Sequence, residues 1–262
     1  MEKLSAMIIT CNEEDNIARC IESLRNVADE IVVLDSYSTD NTIAIARKKG
    51  AVVKQGVFSG YIDQKNKALR LTTHNYVLSL DADEVLSEKL VESILREKKN
   101  NFKHHAYFMN RYNNYCGKFI NHGLWYPNRK VRLFDKRLGS WGGMNPHDKV
   151  KLKEGTKAHF LKGDIIHYAY YTIVEHLQRN EELSTIAAYS IFEAGIKKHW
   201  SKIILSPSWS FVHGYFLRLG FLDGYYGLII ARLMATQSFL KYQKLRRLIK
   251  QNKKAAKLVM NN

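Results

Sequence analysis

Tyr76-Val-Leu-Ser-Leu-Asp-Ala-Asp-Glu84 reads as a buried strand that runs straight into acid. A short uncharged run of this kind suits a strand covered on both faces. Two similar runs lie upstream, Leu4-Ser-Ala-Met-Ile-Ile-Thr10 and Glu30-Ile-Val-Val-Leu-Asp35, with a shorter one at Ala51–Lys54. Helical spacing separates them. Ile17, Ile21 and Leu24 fall on one helical face, Ile43 and Ala46 on the next, and further helices are expected over 62–71 and 88–98. Asn12 stands where it can cap the first helix, with Glu13, Glu14 and Asp15 in its first turn; Ser38 or Thr39 can cap the second. This β-α-β-α order implies an α/β fold: a mostly parallel, Rossmann-like sheet with helices on both faces. Such sheets bind ligands at the carboxyl ends of their strands, so Thr10, Asp35 and Asp81 become the residues to inspect.

The pattern changes after residue 100. Strands are expected at 105–111, 130–134 and 149–152, and a glycine-rich loop at 139–146. A helix is expected over 171–194, with Ile173, Leu177, Leu183 and Ala187 inward. Pro207 marks a break, and 211–260 reads as two or more aromatic, basic helices.

The 262 residues are 45% apolar and 25% charged, which excludes disorder as the main state. Fifteen Gly and three Pro without a short period exclude collagen-like chains. Cys11, Cys20 and Cys116 form no C-x-x-C pair, so neither a disulfide scaffold nor a zinc ribbon is expected, and a reducing compartment fits. Neither a signal peptide nor a spanning helix is expected: Leu4–Ile9 is too short and precedes acid, and 203–217 contains Pro207, three serines, His213 and Gly214. The net charge of +16 is uneven, since 196–262 carries 13 Lys or Arg against one acid, Asp223. That asymmetry bears on partners rather than fold.

Asp81 and Asp83 flank the small Ala82, and two carboxylates so spaced can share one hard cation on a diphosphate; a solvated acidic turn is the plainer alternative. Asp35 can accept from a nucleobase or ribose, or cap the following helix. Thr10-Cys-Asn-Glu-Glu14 can line the same crevice or simply start a helix. Lys130 and Arg132 share one strand face and Arg129 starts it; they can bind a phosphate or an anionic acceptor, or face solvent. Trp125, Tyr126 and Trp141 suit a sugar ring or a core. His104, His105 and His122 lack metal-ligand spacing.

Ile9–Glu14, Asp29–Thr42 and Leu78–Glu84 together resemble the N-terminal half of family 2 glycosyltransferases of the GT-A fold. Arg129–Phe134, Pro146-His-Asp148, Phe221-Leu-Asp-Gly-Tyr-Tyr-Gly227 and Lys241-Tyr242 resemble one branch, the lipopolysaccharide-core β-glucosyltransferase-like proteins. The resemblance implies an inverting transfer from a nucleotide-sugar, with UDP-sugars favoured, to a lipid-linked or core oligosaccharide acceptor. A divalent cation, Mg2+ or Mn2+, would sit on Asp83 with Asp81 beside it. Thr10, Asn12, Glu13, Asp35, Gln64, Lys65, Asn66, Asp81 and Ala82 would line the donor site. Asp148 would be the general base beside His147, and Arg129, Arg132 and Trp125 would meet acceptor or phosphate. Cys11 stands where many relatives carry an aromatic residue, and Ser36 where they carry a second Asp.

On this resemblance, residues 1–100 form the nucleotide-sugar half, 101–200 the acceptor half, and 201–262 a basic helical extension. The aromatic, cationic extension suits either an anionic membrane surface or a helical cap packed on the first domain with a solvated tail; the expected location is the cytoplasm, peripheral on the inner membrane. Other acceptors, polyprenyl-linked or protein, would use the same chemistry. A sugar nucleotidyltransferase would want a basic Gly-rich loop after the first strand, where this chain is acidic. Charge alone raises nucleic-acid binding, but no motif supports it and none is expected.

Overall fold

The structure is a computed structural model that describes residues 2–196 and 201–260. Trp200, one of the aromatics of the basic extension, lies outside the described residues. The elements run β1 (Leu4–Thr10), α1 (Ile17–Leu24), β2 (Glu30–Asp35), α2 (Thr42–Lys48), β3 (Val52–Gln55), α3 (Tyr61–Leu71), β4 (Tyr76–Asp81), β5 (Glu84–Leu86) and α4 (Glu88–Lys99). They continue with β6 (Ala106–Tyr115), β7 (Lys118–Phe119), β8 (Arg129–Asp135), β9 (Gly139–Met144), β10 (His147–Leu152), β11 (Ala158–Tyr170), α5 (Ile173–Glu193), α6 (Lys202–Val212) and α7 (Gly224–Met260).

Two compact units divide the chain: Met1–Asn114 with Pro127–Gly143 and His147–Ala169, and Tyr115–Tyr126 with Met144–Pro146 and Tyr170–Asn262. In the first, the sheet order is β3-β2-β1-β4-β8-β6-β11-β5. The pairs β3–β2, β2–β1 and β1–β4 are parallel; β4–β8, β8–β6 and β11–β5 are antiparallel. The α/β architecture implied by the sequence is therefore present, with an antiparallel continuation beyond β4.

Alternation along the central strands decides what covers each face. Leu4, Ala6 and Ile8 of β1 join Leu78 and Leu80 of β4 in a core closed by Ile17, Cys20, Ile21 and Leu24 of α1 and by Leu90 and Ile94 of α4. Met7, Leu34 and Val77 point the other way, onto Ala68 and Leu69 of α3 and Trp141 of β9. Helices thus cover both faces.

Several local expectations are corrected. Asn12 does not cap α1: it adopts φ +54, and its Oδ1 accepts from the Thr39 amide at 2.8 Å. The helix starts only at Ile17, after a turn in which the Glu13 carbonyl accepts from the Asn16 and Ile17 amides. Neither Ser38 nor Thr39 caps α2; Asp40 receives the Thr42 amide at 3.0 Å. The expected glycine-rich loop is largely strand β9, paired with β10. A long strand, β11, occupies residues where none was expected. Pro207 lies inside α6, where it lacks the N–H that would answer the Ile203 carbonyl.

In the second unit, α5 opens with a capping box in which Thr172 and Glu175 each accept from the other's backbone amide. Asn180 Nδ2 donates to the Leu233 carbonyl of α7 at 2.9 Å, and Lys244 of α7 donates to Glu181, Ser184 and Thr185 of α5. The basic extension contains one long helix, α7, preceded by α6 and two short turns at His213–Leu217 and Gly220–Asp223.

Gly163 of β11 sets a tight limit on the first unit. A Cβ there would stand 2.4 Å from the Leu90 amide nitrogen at the start of α4, and its φ is +104. Gly163→Ala should cost about 3 kcal/mol, from backbone strain and overpacking together. Urea unfolding measures it; a shift under about 1 kcal/mol would show that α4 gives way instead.

Candidate active site

The parallel register assembles the site. Thr10 pairs with Asp35 and Ile9 with Asp81, so three adjacent strands end together in polar residues. Adjacent strands lie about 4.8 Å apart, which brings these side chains to one edge.

The two loops leaving β1 and β2 brace each other. The Asn12 amide donates to Ser38 Oγ and the Glu13 amide to Thr42 Oγ1, each at 2.8 Å. Asp35 is fully buried; its carboxylate accepts from the Ser38 amide at 2.8 Å and from the Ser38 hydroxyl. Asp35 therefore shapes its own loop here and does not cap α2, which starts only at Thr42. Glu13 accepts from Asn16 Nδ2 at 2.6 Å. Nearby polar atoms remain for a ligand. Thr10 Oγ1 and Gln64 Oε1 are buried without a hydrogen-bond partner, while Gln64 Nε2 donates to Ser36 Oγ at 2.9 Å.

The centre of the site is a lattice of opposite charges. Arg132 Nη2 sits 3.0 Å from Asp81 Oδ2 and 2.9 Å from Glu84 Oε1. Arg111 Nη1 approaches the same Glu84 oxygen at 3.5 Å, and Glu84 Oε2 accepts from the Asp81 amide at 2.9 Å. Lys65 Nζ bridges Asp81 Oδ1 at 3.0 Å and Asp148 Oδ2 at 2.8 Å. The Trp141 ring faces Lys65 Nζ at 4.4 Å and the Arg132 guanidinium at 5.5 Å, adding cation–π attraction.

Burial alone would discourage ionisation of Asp81, but Lys65 and Arg132 outweigh it and hold the carboxyl far below its usual range. Arg132, also buried, is kept charged by Glu84, Asp81 and Asp148. Lys130 shifts the other way: burial and the neighbouring Arg111 and Arg132 lower it to about 8. The strand face of Lys130 and Arg132 is thus not a solvated one. Arg132 Nε and Nη1 and Arg111 Nε are buried without hydrogen-bond partners, which leaves donors unspent.

Asp83 stands apart from this lattice. Its Oδ2 faces His167 Nε2 at 3.1 Å, and its Oδ1 is buried without a hydrogen-bond partner. His167 Nδ1 lies 2.7 Å from Asn113 Oδ1, which can only accept, so Nδ1 carries the ring hydrogen. In the neutral ring Nε2 then presents a lone pair to a carboxylate oxygen. That pairing calls for a positive charge between them, a second ring proton or a metal ion. Burial works against ionised Asp83, yet His167 prevails and its carboxyl also lies below the usual range.

The expected residues fall into distinct groups. Lys65, Asp81, Arg132 and Asp148 come together, and Asp83 is adjacent in sequence. Ala82 is buried in the core, which explains its small size. Asn66 exchanges hydrogen bonds with the Trp141 backbone at 2.9 and 3.0 Å, which braces α3 against β9. Arg129 is exposed, its guanidinium 5.8 Å from the Phe108 ring centre. His147 is exposed beside Asp148 on β10. Trp125 belongs to the second unit, where it packs with Tyr115, Tyr170 and His176. It is partly buried there. His167, Asn113, Arg111 and the buried Glu84 were not expected as a set. The signal lies in β11: once 158–170 is a strand, its pairing with β5 sets His167 against Glu84.

Residues 5–163 match the family model of Glycosyl transferase family 2. The chain belongs to this family. An uncharacterized glycosyltransferase of Rickettsia typhi is 31% identical over 95% of this chain and 88% of its own length. The lipopolysaccharide core biosynthesis glycosyltransferase LpsC of Rhizobium meliloti is 28% identical over 92% of this chain and 91% of its own. Glucosyl-3-phosphoglycerate synthase of Mycobacterium tuberculosis, solved with Mn2+, UDP and glucosyl-3-phosphoglycerate, superposes with a TM-score of 0.48 at 16% identity, over 75% of this chain and 81% of that one. This family 2 glycosyltransferase therefore transfers a glycosyl group.

Glu84→Gln removes the charge that Arg132 and Arg111 share, and should cost about 3–5 kcal/mol in denaturant unfolding. A loss under about 1 kcal/mol would mean the arginines find other partners. The sign of the acid response also follows. Asp81 and Asp83 titrate lower when folded than the usual value near 4, so the unfolded chain takes up protons first. Their stabilisation is present above about pH 4 and is lost as pH falls below it.

Proposed function

We propose that this enzyme is a metal-dependent inverting glycosyltransferase whose acceptor is a lipopolysaccharide-core-like glycolipid. The observation that carries the metal is the Asp83–His167 pair: an unspent buried carboxylate oxygen, and a facing ring nitrogen whose tautomer Asn113 sets. Among the described residues no cluster of three His, Cys, Asp or Glu forms a complete metal site. Two protein ligands suit an Mg2+ or Mn2+ ion that takes its remaining oxygens from a diphosphate and water. Bound there, the ion would neutralise charge on the departing nucleotide.

The chain's own residues supply the rest. Thr10 Oγ1 and Gln64 Oε1, unpartnered at the strand ends, support nucleoside binding. The free N–H groups of Arg132 and Arg111 support an anion, and a diphosphate is the anion the donor brings. Lys65 now spans Asp81 and Asp148. A diphosphate at this edge would draw the ammonium toward itself and leave Asp148 free to accept the proton of the attacking acceptor hydroxyl. That hydroxyl approaches the anomeric carbon opposite the nucleotide, so the configuration inverts. Similarity to LpsC over nearly the whole chain supports the glycolipid-core acceptor.

A panel of UDP-, GDP- and ADP-sugars tests this reading through nucleotide release. Release from one donor should require Mn2+ or Mg2+, stop with EDTA and stop in Asp83→Ala. Metal-independent release would overturn the metal assignment. With acceptor present, Asp148→Asn should lower kcat by about 10²-fold or more while donor binding persists. Near-normal turnover would remove Asp148 as the base.

A further inference from the structure

Helix α6 is apolar in composition yet has no buried residue. Leu205, Trp209 and Val212 follow one another at i, i+4 and i+7, so they share a face of α6, and Phe216 follows in the next turn; all are exposed, Leu205 and Trp209 being 64% and 60% accessible. The turn that follows adds Leu219 and Leu222, also exposed. Soluble monomers seldom expose so much contiguous apolar surface without a use for it.

The backbone beneath this surface is closely specified. A Cβ on Gly220 would stand 2.6 Å from the Gly214 carbonyl oxygen, and one on Gly227 would stand 1.9 Å from the Gly220 carbonyl oxygen. Asp223, nearly fully buried, accepts from the Asn121 amide at 3.2 Å and the His122 amide at 2.8 Å. The motif Phe221–Gly227 thus divides its labour. Its small and acidic residues lock the turn, while Phe221, Leu222 and Tyr225 remain outside.

Charge selects the occupant. No acid occurs between Ser201 and Leu222, where Lys202 and Arg218 are the charged residues. The larger segment 196–262 carries 13 basic residues against Asp223. A second copy would bring two such cationic surfaces face to face, against their repulsion. Aliphatic and aromatic side chains beside Lys and Arg suit the headgroup level of an anionic bilayer. No described helix is long and apolar enough to cross a membrane, so the surface would lie on the bilayer.

We infer that the α6 face and the Leu219–Leu222 turn form a docking surface for an anionic lipid bilayer. This inference stands on the second unit alone and holds whatever the acceptor is.

Full-length protein sedimented with phosphatidylglycerol–phosphatidylethanolamine vesicles, and with phosphatidylcholine vesicles, tests it. Binding should favour the anionic vesicles and weaken at high salt. The triple variant Leu205→Ser/Trp209→Ser/Phe216→Ser should bind about tenfold more weakly. These side chains are exposed, so its thermal melt should match the wild type. If that variant does not fold, brominated lipids in the same vesicles give a second readout: they should quench wild-type tryptophan emission more than that of Trp209→Phe. Failure to bind anionic vesicles at low salt would overturn the inference. So would unchanged binding by the folded triple variant, or a dimer in light scattering that the triple variant abolishes while vesicle binding is absent.

Discussion

Arg132 is the residue on which the rest of the site depends. It reaches from the antiparallel strand β8 into the carboxyl edge of the parallel strand β4, and holds Asp81 and Glu84 with one nitrogen. The pairing with Glu84 is almost wholly buried, so neither of those two can lose its partner without stranding a charge in a poor solvent for charges, while Asp81 stays partly exposed. Its consequence is positional. With Asp81 and Glu84 pinned on either side, the Ala82–Asp83 turn is fixed, and Asp83 is left to meet His167 of β11.

Two kinds of carboxylate result from one short acidic stretch. Asp81 and Glu84 are saturated by cations and serve the architecture. Asp83 keeps one oxygen unspent and the other opposite a ring nitrogen. The sequence Asp-Ala-Asp-Glu does not distinguish them; the distinction comes from which strand each one faces. Asp148 belongs with the saturated group in this structure, through Lys65. Under the proposed mechanism, its release on donor binding would couple the proton acceptor to the arrival of the diphosphate, so that a base becomes available when there is a sugar to transfer.

Much of the parallel half was legible in the sequence because its strands are buried on both faces. Leu4–Thr10, Glu30–Asp35 and Tyr76–Leu80 are continuous runs, and the structure places them within a residue of those bounds. The antiparallel half is harder to read. β9 is Gly-Ser-Trp-Gly-Gly-Met, which by composition is a loop, and β11 mixes exposed and half-buried positions with no clean period. Losing β11 also lost His167, since a histidine has meaning there only through its register with Glu84. Arg132 was visible as a strand residue, but its burial depends on Asp81, 51 positions earlier. Loop-end polar residues such as Asn12 and Asp35 are ambiguous in a different way. Their types suit caps or ligands, and here neither caps a helix: Asn12 ties the β1 loop to the β2 loop, and Asp35 turns its own loop through Ser38.

The central claim is that Asp83 and His167 hold the donor's cation. Anomalous scattering from crystals grown with Mn2+ and UDP would test it most directly. The account predicts a manganese peak between the Asp83 carboxylate and His167 Nε2, in contact with the diphosphate. UDP bound at the strand ends with no manganese at that position, or manganese held elsewhere, would contradict it.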